Sequence, residues 1–372
     1  MVRGSSDDER EQLRQVVRQF LDSSSTESEV RRLMSTDEGF DREVWLRMAR
    51  ELGLQGLIVP EAFGGSGVTF TELAVVLEEM GRALICSPFL ATTLATAALL
   101  FSEDADAQAR YLPGIADGSS IATIGFPEVD GQQRDGTGGE IIARQDGGGW
   151  VLSGTVSHVL DGTIADIVLV TAPTSLGTSL FCVLASDPGF DTIPLTVLDP
   201  TRKQARIVLD GVPATLVGTE GGAETIIRQQ MIFTASAVAV EQVGGARRCL
   251  QMAVDYARQR VQFGRTIGSF QAIKHKCADL LVEIESAAAA AKLAVQSVTE
   301  HSESAGLVAS LAKAYCSDAY VHAAAENIQI HGGIGFTWEH PAHLYYRRAM
   351  STRVIAGDPD SHRARAAELI GI

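Results

Sequence analysis

The chain of 372 residues has no apolar run long enough to cross a bilayer as a helix, so its sequence predicts no membrane partner. Its five cysteines, Cys86, Cys182, Cys249, Cys277 and Cys316, form no Cys-x-x-Cys pair and no Cys/His metal spacing. A dispersed, odd set of this kind predicts free thiols in a reducing compartment and no metal site. Positive charge is in short supply. Lys and Arg number 31 against 46 Asp and Glu, a formal net charge of −15. That balance argues against nucleic acid or an anionic membrane as the main partner. The opening stretch "MVRGSSDDEREQLRQ" lacks the apolar core of a secretion signal. No internal repeat is visible, and low complexity is confined to Ala287–Ala291. These absences together predict a cytoplasmic protein. The remaining composition, 45% hydrophobic and 21% charged, is that of a globular chain of two or three domains.

What is present divides the chain in three. Residues 1–113 read as helical: "DDEREQLRQVVRQFLDS" and "DREVWLRMARELGLQG" carry apolar residues at three- and four-residue spacing. "TELAVVLEEMGRALICSPF" and "FLATTLATAALLF" are apolar over most of their circumference, which predicts buried helices. Residues 114–217 turn to Gly, Val, Ile and Thr in short alternating or apolar runs bounded by turn residues, such as "ADIVLVTA" and "ARIVLDGV". They predict a small antiparallel barrel or sandwich. Residues 218–372 return to long helical segments, from "AETIIRQQ" through "IQIH" to "RARAAELIGI". The expected class is α+β, with a helical domain, a β domain and a C-terminal helical bundle.

Two stretches carry candidate chemistry. In "YARQRVQFGRTIGSFQAIKH" a helix ends in an Arg-rich turn, breaks at Gly264 and restarts near Ser269. Arg260 is a fixed cation suited to phosphate. The restarted helix offers unpaired N–H groups to an anion. Phe263 suits the side of a planar ring, and Gln271 both donates and accepts hydrogen bonds. In "IQIHGGIGFTWEH" the pair Gly332-Gly333 ends a helix, which serves either as a cap or as a place for close ligand approach.

In this order, with "GLQGLIVPEAFGGSGVTFTELAVVLEEMGRAL" and "QIHGGIGFTWEHPAHLYYRRA", these stretches resemble the acyl-CoA dehydrogenase family over nearly the whole chain. The resemblance implies the family fold: N-terminal helices, a β domain and a C-terminal four-helix bundle. It implies FAD at a subunit interface, an acyl-CoA substrate, and an electron-transfer flavoprotein or similar acceptor. The family removes an α-proton of the acyl-CoA with a carboxylate base while the β-hydride passes to the flavin. Carried over to this sequence, Arg260, Phe263 and Gln271 would reach the FAD of a neighbouring subunit. Gln329, Gly332 and Gly333 would add contacts on its adenine and pyrophosphate side.

Other positions depart from the family pattern. Where the family usually has Thr-Glu-Pro and Gly-Ser-Asp, this chain reads "IATIGFPEVDGQQRDG", with only a displaced Pro127-Glu128. His158 and Leu160 stand where a Trp and a Thr are common. The family's usual base positions fall on Ala356 and, on the first long helix of the bundle, Thr234; neither is a carboxylate. Glu241, the lone charge in "TASAVAVEQVGG", is either a relocated base or half of a structural ion pair. Asp358 is either a base or, followed by Pro359, the start of a turn or the cap of the last helix. His331 and His158 are weaker candidates for flavin contact. The expectation is a partner subunit of a hetero-oligomer, resembling the paired subunits that act on steroid side-chain CoA thioesters, which shares FAD with a complete homologous subunit. The alternatives are a self-sufficient homo-oligomer using Glu241 or Asp358, a flavin monooxygenase-type relative, and a purely structural partner.

Overall fold

A computed structural model describes residues 5–125 and 141–372. Pro127 and Glu128 lie outside the described residues. Among those described the helices are α1 (Asp7–Ser24), α2 (Glu27–Met34), α3 (Arg42–Arg50), α4 (Phe70–Ala83), α5 (Phe89–Phe101), α6 (Ala105–Ala116), α7 (Ala223–Gln259), α8 (Gln271–Thr299), α9 (Ala305–His331), α10 (Ala342–Thr352) and α11 (Pro359–Leu369). The strands are β1 (Ala122–Gly125), β2 (Ile142–Asp146), β3 (Gly149–Leu160), β4 (Ile167–Thr174), β5 (Gly177–Leu184), β6 (Phe190–Pro194), β7 (Gln204–Val217), β8 (Val261–Gln262) and β9 (Arg265–Thr266). The chain forms two compact units, each described by itself.

The first unit holds Leu33–Val68 and Cys86–Met231. Its seven strands run in the order β1-β4-β5-β7-β3-β2, with β6 also paired to the long β7. The sheet folds over itself: Thr123 of β1 donates to the carbonyl of Leu160 in β3 at 2.7 Å, and Trp150 of β3 meets Phe181 of β5 edge-on at 5.2 Å. The sandwich expected from the sequence is present, with one correction. β1 pairs with β4 in parallel, Ala122 opposite Ile167, so the sheet is mixed rather than antiparallel. Ile121 sets this up by leaving its amide on the Asp166 carboxylate at 2.8 Å, so β1 enters alongside β4. α5 is buried at every position from Phe89 to Leu99, as its uninterrupted apolar circumference requires, and packs on β1. Trp45 of α3 is buried and donates its indole N–H to the carbonyl of Gly118 at 2.9 Å.

The second unit holds Arg3–Arg32, Thr69–Ile85 and Ile232–Ile372. α4 starts on a reciprocal cap in which Thr69 and Glu72 satisfy each other's free amides. It crosses α7 at very short range. A Cβ at Gly81 would stand 2.1 Å from the carbonyl oxygen of Glu241, and one at Gly244 would stand 1.9 Å from that of Glu78. Glycine on both sides is what lets the two backbones touch. α1 lies along α4 and is held by charge: buried Glu79 accepts from Arg14 at 3.1 Å and from Arg18 at 2.7 Å, and Arg82 of its own helix adds a third guanidinium at 2.7 Å. α8, α10 and α11 all pack against α9. No described helix is long and apolar enough to cross a membrane.

Candidate active site

α7 ends at Gln259, and the segment after it is a β-hairpin rather than the plain turn expected from the sequence. β8 and β9 pair Val261 with Thr266 and Gln262 with Arg265, leaving Phe263-Gly264 as a two-residue loop. Both loop residues have positive φ, 51° and 78°, which is the hairpin geometry that matches the twist of its strands. The loop carries Phe263 outward, 91% exposed, with its ring edge-on to Phe270 at 6.2 Å. Arg265 lies over the opposite ring, its guanidinium carbon 4.0 Å from the Phe270 centroid. Arg260 is exposed and, among the described residues, its guanidinium has no ion-pair partner. α8 begins at exposed Gln271 with no side chain capping its first turn.

The second motif lies beside the first. Tyr256, whose carbonyl accepts from the Arg260 amide at 2.8 Å, has its ring 4.3 Å from that of His331 at the end of α9. His331 is buried, stacks on His340 at 4.1 Å and shares its Nδ1 with the carbonyl of Asn327 at 2.8 Å. Burial holds its pKa below the usual histidine value. This histidine is packed between Tyr256 and His340, while Gln329 and Gly332-Gly333 on either side of it are exposed. Gly332 caps α9 with φ of 64°, and a Cβ at Gly332 or Gly333 would meet nothing within 4 Å, so that backbone is open to approach. Phe336 and Trp338 follow, 84% and 57% exposed. Arg260, Phe263, Gln271, Gln329, Gly332 and Gly333 are all exposed on the second unit. Between them they offer a cation with no ion-pair partner among the described residues, open glycine backbone, uncapped amides and bare aromatic rings. That set fits a cofactor with phosphates and flat rings.

A model of the acyl-CoA dehydrogenase N-terminal domain matches residues 7–119, and one of the C-terminal domain matches residues 221–371. The chain belongs to the acyl-CoA dehydrogenase family. Its members are FAD-dependent oxidoreductases acting on CH–CH bonds. This acyl-CoA dehydrogenase is 36% identical over 352 residues to acyl-CoA dehydrogenase IpdE2 of Mycobacterium tuberculosis, covering 95% of this chain and 94% of that one. It is similar to the solved structure of a steroid ACAD, Tcur3481-Tcur3483, with 30% identity, 98% of each chain covered and a TM-score of 0.88. It is also similar to the ChsE4-ChsE5 complex of Mycobacterium tuberculosis, with 28% identity, 99% of each chain covered and a TM-score of 0.89.

The remaining candidates of this acyl-CoA dehydrogenase lie on other elements. Thr234 and Glu241 are buried in α7, and Glu241 is about 27 Å along the helix from its hairpin end. Arg348 of α10 donates to the Glu241 carboxylate at 3.2 Å, both side chains essentially without solvent contact. Arg348 is the partner that the ion-pair reading of Glu241 requires. Asp358 is the N-cap of α11, accepting from the Ser361 amide at 2.8 Å and from its hydroxyl, with Pro359 in the first turn. Ala356 stands in the same turn with φ of 59°. In the first unit, His158 is exposed at a bulge of β3 with φ of 59°, and Leu160 is buried.

The sequence reading missed Lys313. It is fully buried on α9, and its amine contacts the carbonyls of Arg353 at 3.0 Å and Gly357 at 3.2 Å and the Ser317 hydroxyl at 3.0 Å. Burial pushes its pKa down to about 7. The available signal was a lone lysine in "ASLAKAYCSDAY", a pattern that also describes any solvated helix position.

Proposed function

We propose that this chain takes part in the α,β-dehydrogenation of an acyl-CoA thioester as the partner subunit of a hetero-oligomer, sharing FAD with a complete homologous subunit. The observation that carries this reading is the fate of the carboxylates. Thr234 and Ala356 occupy the two positions where the family's base is expected, Glu241 is closed in by Arg348, and Asp358 caps α11. An α-C–H is too weak an acid to lose its proton without a positioned base, so the base would come from the other subunit. The other surface is intact in this reading. Arg260 would meet a phosphate, Phe263 would flank a ring, Gln271 and Gln329 would hydrogen-bond, and Gly332-Gly333 would let the cofactor approach the backbone. Bound FAD would supply the hydride acceptor. The likeness to a steroid ACAD and to the ChsE4-ChsE5 complex supports a hetero-oligomeric assembly and a bulky lipid or steroid side-chain thioester. An electron-transfer flavoprotein or similar carrier would reoxidise the flavin.

The test is the flavin content and mass of the chain purified alone and after co-expression with a complete homologue. Little FAD alone, with about half occupancy in the mixed assembly, is the expected result. One FAD per chain in a homo-oligomer overturns it and makes Glu241 the base to pursue. The double change Glu241→Gln/Arg348→Met, which leaves neither charge stranded, then separates the roles. Turnover of the mixed assembly should change little, whereas a large loss with FAD content intact identifies a relocated base.

A further inference from the structure

The segment from Gly332 to Glu339 leaves the end of α9 and returns just ahead of Pro341, the cap position of α10. Its two ends meet in a pair of rings. His331, the last residue of α9, and His340 stand 4.1 Å apart, tilted by 40°, and Tyr256 of α7 adds a third ring 4.3 Å from His331. Between those ends lie the open Gly332-Gly333 backbone and the exposed side chains of Phe336 and Trp338.

The hydrogen bonds fix the protons on both imidazoles. A backbone N–H only donates and a carbonyl only accepts. The Ala342 amide donates to His340 Nδ1 at 3.2 Å, so that nitrogen holds a lone pair and the neutral ring carries its proton on Nε2. His331 Nδ1 lies 2.8 Å from the Asn327 carbonyl, so there the proton is on Nδ1. His340 thereby satisfies the first amide of α10, one of those that the helix cannot satisfy itself and that Pro341 leaves uncapped. It does so from two residues back, as an Asn side chain does in an Asx turn. A second proton on His340 would go to Nδ1. It would end the bond to Ala342 and set a cation at the positive end of α10.

The groups around the ring favour its neutral form. Burial first, and then the neighbouring His331, hold the His340 pKa below the ordinary histidine value. From α2, Arg31 acts in the same direction and Glu27 opposes it, the two being paired with each other at 2.7 Å. From α10, His343 is kept neutral by burial above about 4, and the Arg347 guanidinium lies 5.1 Å from the Trp338 ring.

We propose that His340 is a positioning residue whose neutral ring closes the base of the Gly332–Glu339 segment and caps α10, and whose second proton releases both. This rests on the reading above in one respect: that Gly332-Gly333 meets the cofactor, so that FAD would be shed as the segment lets go. The sign follows from linkage. Released and solvated, the imidazole takes up its second proton near pH 6.5, and seated it does so only at lower pH. Lowering the pH from about 6.5 therefore favours the released segment, and raising it favours the seated one. His331, whose pKa is also held down by burial, adds the same sign.

Nitrogen NMR of the full-length chain with isotope-labelled histidine reads the ring directly. At about pH 7.5 His340 should show a bare Nδ1 and a protonated Nε2. A proton on Nδ1 overturns the proposal, and that measurement needs no variant to fold. Hydrogen exchange of the Ala342 amide, corrected for intrinsic rates, follows the release. Its opening constant should rise at least about threefold between about pH 7.5 and about pH 5 in the wild-type chain. His340→Asn keeps an acceptor for Ala342 but does not titrate, so it should show about half of that rise or less. A flat wild-type profile overturns the proposal, as does a rise of full size in a folded His340→Asn chain. FAD content of the co-expressed assembly over the same pH series keeps the two readings apart. FAD held fast while Ala342 opens overturns the coupling proposed here. An assembly without FAD at any pH, whose Ala342 amide still opens in acid, overturns the shared-cofactor reading and supports the histidine closure.

Discussion

The middle and the end of α7 treat an arginine in opposite ways. In the middle, Arg348 is brought from α10 to close on Glu241, and neither side chain reaches water. At the end, Arg260 is exposed beside a phenylalanine that is almost entirely bare. The first arrangement is finished within the chain. Desolvating both charges costs nearly what their attraction returns, so its main consequence is that neither partner can be lost alone. The second is unfinished, because an exposed cation and an exposed ring stabilise nothing by themselves. A completed pair in the middle and unmet contacts at the end are what the proposed role, serving another subunit's cofactor, calls for.

The largest effect that tests this contrast comes from breaking the buried pair. Arg348→Ala should cost about 3–5 kcal/mol, read from the urea midpoint, because it strands the Glu241 charge. The double change Glu241→Leu/Arg348→Met should cost far less. Equal losses would mean that the pair itself stabilises and that the middle of α7 is not simply sealed. Next, Gly244→Ala should cost about 1–3 kcal/mol, since its Cβ would have to displace the Glu78 carbonyl. At the other end, Arg260→Ala and Phe263→Ala should each leave stability within about 0.5 kcal/mol while stripping FAD from the assembly. A stability loss there, with FAD retained, would erase the contrast. The smallest effect is one of pH. Burial holds His343 down at about 4. Between that value and about 6.5 the unfolded chain binds a proton that the folded chain does not, so stability rises with pH across this window. Its ring is part-exposed, so the slope should be shallow, and His343→Phe should flatten it.

The long helices of the C-terminal unit were legible because their apolar spacing persists for many turns. The cap at Asp358 was legible because a carboxylate followed by proline has few other uses at a helix start. Glu241 stood out as the only charge in an uncharged stretch, yet its partner lies more than a hundred residues away and leaves no local mark. The hairpin at 261–266 escaped notice for a different reason. Its strands are two residues each, and its loop opens with Phe263 where such loops usually carry Asn or Asp. The parallel pairing of β1 with β4 is a choice between edges that alternation along one strand cannot encode. Lys313 was invisible because a charge is assigned to the surface unless its surroundings are known.

The exposed indole after Gly332-Gly333 has an optical consequence. The chain contains three tryptophans, and Trp45 is sealed in the first unit with its N–H engaged. Trp338 is over half bare, with His343 edge-on at 4.4 Å and the Arg347 guanidinium 5.1 Å from its ring. Its fluorescence should be red-shifted in the free chain and move to shorter wavelength when anything covers that face. The protein carries its own reporter of assembly, at the surface where a partner is expected, and needs no label to be watched.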